Sequence, residues 1–168
     1  SEPGGYVLAT VHRAENTDDP RRLTAIIEGL KLLSRELPVV LPLHPRTARA
    51  SPGLRRDVAE EFPGFKILEP VGYLDMLALE RSALCVVTDS GGVQKEAFFH
   101  RVPCVTLRDE TEWVELVEAG WNRLCPPGDP EDLVRAVRTA MSRVPDEAPL
   151  FYGNGRSSER IVDSLLGL

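Results

Sequence analysis

Short apolar runs alternate with helix-like segments along the whole of this chain. Six runs are predicted as strands, at residues 6–11, 39–43, 65–68, 84–88, 103–107 and 123–125. Most of the intervening segments have apolar residues at helical spacing, or open with Asp-Pro or Ser-Pro, which is typical of a helix start. Because parallel strands need crossover connections of this kind, the alternation predicts an α/β fold with a six-stranded parallel sheet covered on both faces by helices.

The order of the strands decides where a ligand would bind. In a Rossmann-like three-layer domain of order 3-2-1-4-5-6, strands one and four are neighbours at the point where the order reverses. Residues 12–16 (HRAEN) follow strand one and residues 89–92 (DSGG) follow strand four. Both loops would then open into one crevice. The first loop is not the glycine-rich dinucleotide fingerprint, so NAD or FAD bound in the usual way is not expected, and no cofactor is predicted.

The Ser-Gly-Gly turn at the start of the fourth crossover helix has two interpretations. In the first, Ser90 caps the helix through its side chain, which is common at helix starts. Alternatively, Gly91 and Gly92 let an anion approach backbone N–H groups at the positive end of the helix dipole. Glu96 would lie one turn further on the same face, where its carboxylate can accept hydrogen bonds from sugar hydroxyls. The switch-point position favours the anion site.

The polar residues after strands one and two are the next candidates. His12 is expected to contact or polarise a phosphate or a base, and the alternative is a surface turn in which Glu15 pairs with Arg13. His44, after strand two, could line the same rim. His100 is expected to be structural or solvent-facing. No Ser-His-Asp order and no metal-ligand spacing are found, so no metal site is predicted.

The acidic segment after strand five also has two interpretations. Arg108 lies beside several carboxylates, which is typical of an ion-pair turn with Thr111 capping the next helix. Alternatively, Arg108 meets a phosphate while Glu112 faces the ligand. Trp113 and Trp121 are expected to pack in the core.

Length and charge exclude several classes of protein. The 168 residues suffice for one domain, taken as residues 1–168, and the net charge of −6 argues against a nucleic-acid surface. No apolar run approaches the length of a membrane span, and residues 1–5 have no signal-peptide character. Cys85, Cys104 and Cys125 are widely spaced in apolar runs and are expected to be reduced core residues. A cytoplasmic location is therefore predicted.

Seven motifs, in this order, resemble the C-terminal half of the non-hydrolysing UDP-N-acetylglucosamine 2-epimerases. They are HRAEN at residues 12–16, HPRT at 44–47, EPVGYLDM at 69–76, TDSGGVQKEA at 88–97, PCVTLRDETEW at 103–113, EAGWN at 118–122 and YGNGRSSERI at 152–161. The resemblance covers essentially the whole chain. It implies one half of a two-domain GT-B fold, with the active site in the cleft between two Rossmann-like domains.

The resemblance also implies roles for individual residues. The diphosphate of UDP would bind at Ser90, Gly91 and Gly92, and the ribose hydroxyls at Glu96. His12 would contact the diphosphate and is the one catalytic candidate in this chain, while Arg108 is a further UDP-binding candidate. The uracil pocket would be shaped by residues from Val71 to Met76. Several bacterial members bind a second UDP-GlcNAc as an activator, for which Arg13, Glu15 and His44 are the candidates here.

Three positions depart from the family pattern. Some members have an aromatic residue at the position of Met76, an arginine at the position of Trp113, and a glutamate at the position of Lys95. Trp113 therefore cannot take the role of that arginine, and Arg108 is only a partial substitute for it.

The implied reaction inverts carbon 2 of the sugar, through elimination of UDP and its re-addition, and interconverts UDP-GlcNAc and UDP-ManNAc for cell-surface polysaccharide synthesis. The family's acid/base carboxylates belong to the N-terminal half, so this chain alone is expected to be inactive. Its expected partners are UDP or UDP-GlcNAc, its own N-terminal domain and, at full length, a second copy, with neither nucleic acid nor membrane. The rivals are a GT-B glycosyltransferase, a hydrolysing epimerase and a non-catalytic nucleotide-sugar sensor.

Overall fold

Six parallel strands form one sheet in the order β3-β2-β1-β4-β5-β6. The structure is a computed structural model that describes residues 5–167, so residues 1–4 and Leu168, the ends of the predicted domain and of its last helix, lie outside the described part. The strands are β1 Val7–Thr10, β2 Val39–Pro42, β3 Phe65–Leu68, β4 Cys85–Thr88, β5 Cys104–Thr106 and β6 Asn122–Leu124. The predicted fold class and the strand order are confirmed, so β1 and β4 are neighbours at the switch point.

Helices connect successive strands and flank both faces of the sheet. Their bounds are α1 Ala14–Thr17, α2 Pro20–Leu33, α3 Pro45–Ala50, α4 Leu54–Glu61, α5 Tyr73–Ser82, α6 Gly91–Phe99, α7 Val114–Glu118, α8 Pro130–Ser142 and α9 Ser157–Leu166. The Asp-Pro starts form as predicted. Asp19 accepts hydrogen bonds from the backbone of Arg21 and Arg22, and Asp129 accepts one from Glu131. Each carboxylate thereby satisfies N–H groups that the helix itself leaves free.

The main core lies between the sheet and the pair of helices α2 and α8. These helices approach closely at Gly29, where an added Cβ would lie 2.9 Å from a Leu133 methyl group. On the other face, α5 and α6 cover a smaller apolar cluster. Cys85, Cys104 and Cys125 are buried free thiols, as the sequence predicted.

Two short helices were missed from the sequence because they follow strand ends and carry few apolar residues. α1 occupies part of the loop after β1, and α3 begins directly after His44, which had been interpreted as a rim residue. The side chain of His44 caps α3, and the hydroxyl of the buried Thr47 donates a hydrogen bond to the carbonyl of Val11. Both loops are therefore more ordered than a plain turn.

The start of α7 was placed too early. Thr111 is predicted to cap the helix after strand five, whereas that helix begins at Val114. The Thr111 hydroxyl instead donates a hydrogen bond to Gln94 Oε1 and accepts one from the backbone of Trp113. This segment is held against α6 by side chains, which replaces the missing first turn.

The last helix, α9, differs from all the others because none of its described residues is buried. Four apolar side chains are exposed along it, at Ile161, Val162, Leu165 and Leu166. Among the described residues, every helix is too short or too polar to serve as a membrane span.

Candidate functional site at the carboxyl edge of the sheet

A pocket of about 190 Å³ opens where β1, β2 and β3 end. Its lining comes from the loops after these three strands and from α5 and α6, and consists of Thr10, Val11, His12, Pro42, His44, Pro70, Val71, Met76 and Val93. The structure thus brings together three residues that the sequence predicted for one ligand, namely His12, Val71 and Met76. The pocket is mostly apolar with two imidazoles at its rim, which suits a planar ring with polar edges.

One buried carboxylate, that of Asp89, fixes the loop that carries His12. It accepts hydrogen bonds from the backbone N–H of His12 at 3.0 Å, from that of Arg13 at 2.9 Å and from the amide of Asn16 at 3.0 Å. Asp89 is fully buried, and hydrogen bonds to a charged acceptor are stronger than neutral ones. It therefore ties the end of β4 to the loop after β1.

From the sequence, Asp89 was recognised only as part of a turn, and Asn16 had no predicted role. Asn16 is fully buried and also donates a hydrogen bond to the carbonyl of Leu107. The sequence signal for Asp89 was an aspartate at the end of an apolar strand. Its role becomes clear only when the strand order places it beside the backbone N–H groups of the loop after β1.

The start of α6 has no side-chain cap, so the capping interpretation of Ser90 does not hold in the structure. Ser90 is the N-terminal cap residue by position, but its side chain makes no capping hydrogen bond. A Cβ added to Gly92 would have only the Ser90 hydroxyl within 4 Å, at 3.9 Å. The first-turn N–H groups of a helix have no partners within the helix. The Ser90 hydroxyl and the Gly92 side of this turn are thus accessible to an anion.

A carboxylate lies over the first residue of α6. A Cβ built on Gly91 would fall 2.1 Å from Glu112 Oε1, and Arg13 Nη2 is 3.7 Å from the same oxygen. A hydrogen bond from its own backbone N–H lowers the pKa of Glu112 despite partial burial, and Arg108 and Arg13 lower it further. Glu112 is therefore an anion held close to the helix start.

Arg108 lies within ion pairs in this structure. Its Nε is 3.1 Å from Glu15 Oε1, and its Nη1 is 2.8 Å from Glu112 Oε2, with only 11% of the side chain exposed. This is the ion-pair turn that the sequence left open as one alternative. Arg13 pairs with Glu112, and not with Glu15 as the surface-turn alternative had it.

The imidazoles of His12 and His44 lie side by side at the rim, with ring centroids 5.2 Å apart. Nδ1 of His44 accepts a hydrogen bond from the backbone of Arg46. Burial and the neighbouring His12 lower the pKa of His44, so this ring is neutral at pH 7 and Nε2 carries its proton.

Glu96 is half-buried on α6, one turn beyond Gly92. Its charge raises the pKa of Tyr73 on α5. Glu96 also faces the buried Glu80, which is likewise on α5. Neither neighbour was predicted from the sequence.

Lys95 and Trp113, two of the three positions that depart from the family pattern, contact each other. Lys95 Nζ lies 4.4 Å from the centre of the Trp113 ring and 4.0 Å from that of Tyr152. The Trp113 indole donates to the carbonyl of Gly91 at 2.8 Å. Trp113 and Trp121 thus pack as predicted, and the cation–π contact holds the segment around Tyr152 against α6.

Within residues 5–167, no three His, Cys, Asp or Glu side chains are grouped so that they could hold a metal ion. What the fold and the site offer is an open helix N-terminus beside a mostly apolar pocket, at the switch point of a parallel sheet. These features define a domain of the nucleotide-binding α/β class.

The chain belongs to the UDP-N-acetylglucosamine 2-epimerase family, whose model matches residues 1–166. A curated relative from Pseudomonas aeruginosa, UDP-2,3-diacetamido-2,3-dideoxy-D-glucuronate 2-epimerase, is 50% identical over 98% of this chain and 45% of its own length. The solved UDP-GlcNAc 2-epimerase of Methanocaldococcus jannaschii is 40% identical with a TM-score of 0.86, over 100% of this chain and 47% of that one. A structure of the same enzyme with UDP-GlcNAc and UDP gives a TM-score of 0.85 at 40% identity, over 99% of this chain and 46% of that one. The chain thus spans about half the length of the relatives it matches.

Proposed function

We propose that this chain is the UDP-binding, C-terminal half of a non-hydrolysing UDP-sugar 2-epimerase with a two-domain GT-B fold. The observation that carries the proposal is the uncapped start of α6 beside the apolar pocket, in a chain whose motifs and family match the epimerases. The substrate proposed first is UDP-GlcNAc, interconverted with UDP-ManNAc. No cofactor is required.

In this proposal, the diphosphate binds at the start of α6. The Ser90 hydroxyl and the N–H groups of Gly91 and Gly92 would donate to its oxygens, assisted by the helix dipole. His12 lies on the other side of the same crevice and would contact the diphosphate. Because Arg108 is paired with two carboxylates, its part in UDP binding would require at least one of them to move.

The nucleoside would lie beside the diphosphate. The pocket lined by Val71 and Met76 would hold the uracil, and Glu96 would accept hydrogen bonds from the ribose hydroxyls. At the rim, Arg13, Glu15 and His44 remain the candidates for a second, activating UDP-GlcNAc. Of these, His44 is exposed at the pocket mouth, whereas Glu15 is engaged by Arg108.

The chemical step would need the missing half. A base removes the proton on C2 of the sugar while the C1–O bond breaks and UDP leaves as an anion, giving a glycal. UDP then adds back to C1 and an acid returns a proton to C2 on the opposite face. This chain would hold the leaving diphosphate, and carboxylates of the N-terminal half would move the protons. The chain alone should therefore give no epimerisation, and robust turnover by it would contradict this division of labour.

A second candidate substrate follows from the relative at 50% identity, which acts on a diacetamido glucuronate sugar. Its UDP portion would bind in the same way, so the sugar alone separates the two candidates. Incubating the full-length protein with each UDP-sugar, and following C2 inversion by NMR, would decide between them. The same assay excludes a glycosyltransferase if no acceptor is needed, and a hydrolysing epimerase if no free sugar appears.

The binding half of the proposal can be tested on this chain by calorimetric titration of UDP. We expect saturable binding that is lost in a Ser90→Ala/Glu96→Ala double variant. The matched control is Ser158→Ala/Glu159→Ala, which removes the same two groups from the start of α9. Equal binding by both double variants would contradict the placement of UDP. If the folded chain binds no UDP, repeating the titration with the full-length protein decides whether the other half supplies essential contacts.

A further inference from the structure

A carboxyl group is sealed between α5 and the helix that carries Glu96. Glu80 is fully buried, and no N–H or O–H group of the described residues donates a hydrogen bond to either of its side-chain oxygens. The carboxyl group of Glu96 lies within hydrogen-bond reach of it. Buried carboxylates are normally paired with a cation or hydrogen-bonded, because desolvation strongly disfavours the charged form. Glu80 therefore requires an explanation that core packing does not give.

The groups that face Glu80 come from three elements, and none is a fixed cation in contact with it. On α6 these are Glu96 and His100, whose Nε2 is 3.9 Å from Glu80 Oε2 and is itself buried without a partner. Tyr73 and Arg81 share α5 with Glu80, and Cys104 on β5 is the third neighbour. Burial and the nearby Arg81 lower the pKa of His100, so this ring is neutral near pH 7.

These surroundings keep Glu80 uncharged at neutral pH. Burial, and next the charge of Glu96, raise the pKa of Glu80 to about 8. A protonated carboxyl group has one O–H to donate. The carboxylate of Glu96, within hydrogen-bond reach, is a charged acceptor for it.

We infer that Glu80 is a positioning residue: its acid O–H donates to Glu96 and so orients the outer oxygen of that carboxylate toward the ribose of UDP. This inference rests on the proposed function, since it gives Glu96 the ribose contact. It adds a role for a residue that makes no contact with the ligand.

The competing explanation is that Glu80 is a purely structural partner of His100. In that case a charged pair would form as His100 gained a proton below neutral pH, and Glu96 would be unaffected. The two explanations differ in what happens above pH 7, where only the acid of Glu80 would lose its proton.

The test compares UDP with 2′,3′-dideoxy-UDP by calorimetry between pH 6.5 and pH 8.8. The two ligands share uracil and both phosphates, so ionisation of those groups cancels in the ratio of their dissociation constants. This ratio isolates the contribution of the ribose hydroxyls. The proteins are the unchanged chain, Glu80→Gln, Glu80→Ala and Glu61→Gln. Glu61 is an exposed carboxylate just before β3, at the opposite edge of the sheet.

In the unchanged chain we expect UDP to be favoured roughly tenfold at pH 6.5, the size of one charged hydrogen bond, with the preference falling as pH passes 8. Glu80→Gln, which keeps a donor but cannot ionise, should retain the preference at every pH. Glu80→Ala should have lost most of it at every pH, and Glu61→Gln should match the unchanged chain.

A UDP preference that is constant with pH and equal in all four proteins would overturn the role of Glu80 while leaving the proposed function intact. A preference absent from the unchanged chain would instead remove the ribose contact of Glu96, and the inference with it. If Glu80→Ala fails to fold, the contrast between Glu80→Gln and the unchanged chain above pH 8 still decides. ¹³C NMR titration of the Glu80 carboxyl supplies its ionisation directly, without ligand.

Discussion

The loop region around Asp89 is buried and hydrogen-bonded within the chain, whereas the C-terminal helix α9 is exposed along its whole described length. At Asp89, one buried carboxylate satisfies three donors from the neighbouring strand's loop, and the chain closes the region by itself. In α9, every described residue is exposed, including four large apolar side chains that a folded domain normally covers.

This difference distinguishes a region that packs within the chain from a helix whose apolar side chains remain exposed. The crevice between the loops after β1 and β4 is held by contacts within the described residues. An amphipathic helix with no covered face is stabilised mainly by what it packs against. We therefore expect the N-terminal half that we propose for the full-length protein, or a second copy in a homodimer, to cover α9.

The largest effect should come from Asp89→Asn. The amide would turn an N–H₂ group toward donors that need an acceptor, leaving buried N–H groups unsatisfied. We expect a loss of about 3 kcal/mol in the free energy of unfolding, measured by urea denaturation. Asp163→Asn on the exposed face of α9 is the matched control and should change it by less than about 0.5 kcal/mol. Equal losses of unfolding free energy in the two variants would contradict the difference between the two regions.

Glu80→Gln should stabilise the chain increasingly as the pH rises. The ordinary pKa of the group is 4.5 and its folded value is about 8, so between these values the unfolded chain is ionised while the folded one is not. Stability present below pH 4.5 is then lost progressively as the pH rises toward 8. Melting temperatures of both proteins from pH 5 to pH 8 check this, and parallel curves would show that Glu80 is not held neutral.

Gly92→Ala should separate binding from stability. The added methyl group meets only the Ser90 hydroxyl at 3.9 Å, and alanine favours a helix over glycine by about 0.5–1 kcal/mol. The variant should therefore melt slightly higher while UDP binding falls, because the methyl group keeps phosphate oxygens from the backbone. Gly128→Ala, which also adds a methyl group into open space, is the control for binding. Unchanged affinity for UDP would remove the diphosphate from this turn.

The smallest effect is expected on α9. Ile161→Ser/Leu165→Ser should change the unfolding free energy of this chain by less than about 0.5 kcal/mol, since both side chains are exposed already. The same pair in the full-length protein should cost more, because a partner surface is then lost. Leu133→Ala on α8, a buried position, calibrates the assay at about 3 kcal/mol. A large loss in the isolated chain would mean that α9 is covered after all.

The sheet could be predicted from the sequence because each strand is a continuous apolar run bounded by helices, and parallel connections leave few alternatives. Strand β3 was placed to the residue, and the strand order was the predicted one. Helices α1 and α3 were missed because side-chain and loop contacts stabilise them, such as the cap at His44, and not an apolar face.

The location of the candidate site could be predicted from the sequence, but most of its side-chain contacts could not. The convergence of His12, Val71 and Met76 follows from strand order alone. The pairing of Arg108 with Glu15 joins residues 93 positions apart and depends on side-chain reach, which local sequence does not encode. Glu80 was overlooked because its position in α5 looks like any polar helix residue until burial is known.

The contact between Asp89 and the loop after β1 spans 73 to 77 positions of sequence. During synthesis, β1 therefore remains without its β4 neighbour until that residue has left the ribosome, and the crevice has no shape before then. Long-range parallel pairing of this kind slows folding. Closure of β4 onto β1 would thus come late in folding, and the crevice would take its shape only at that step.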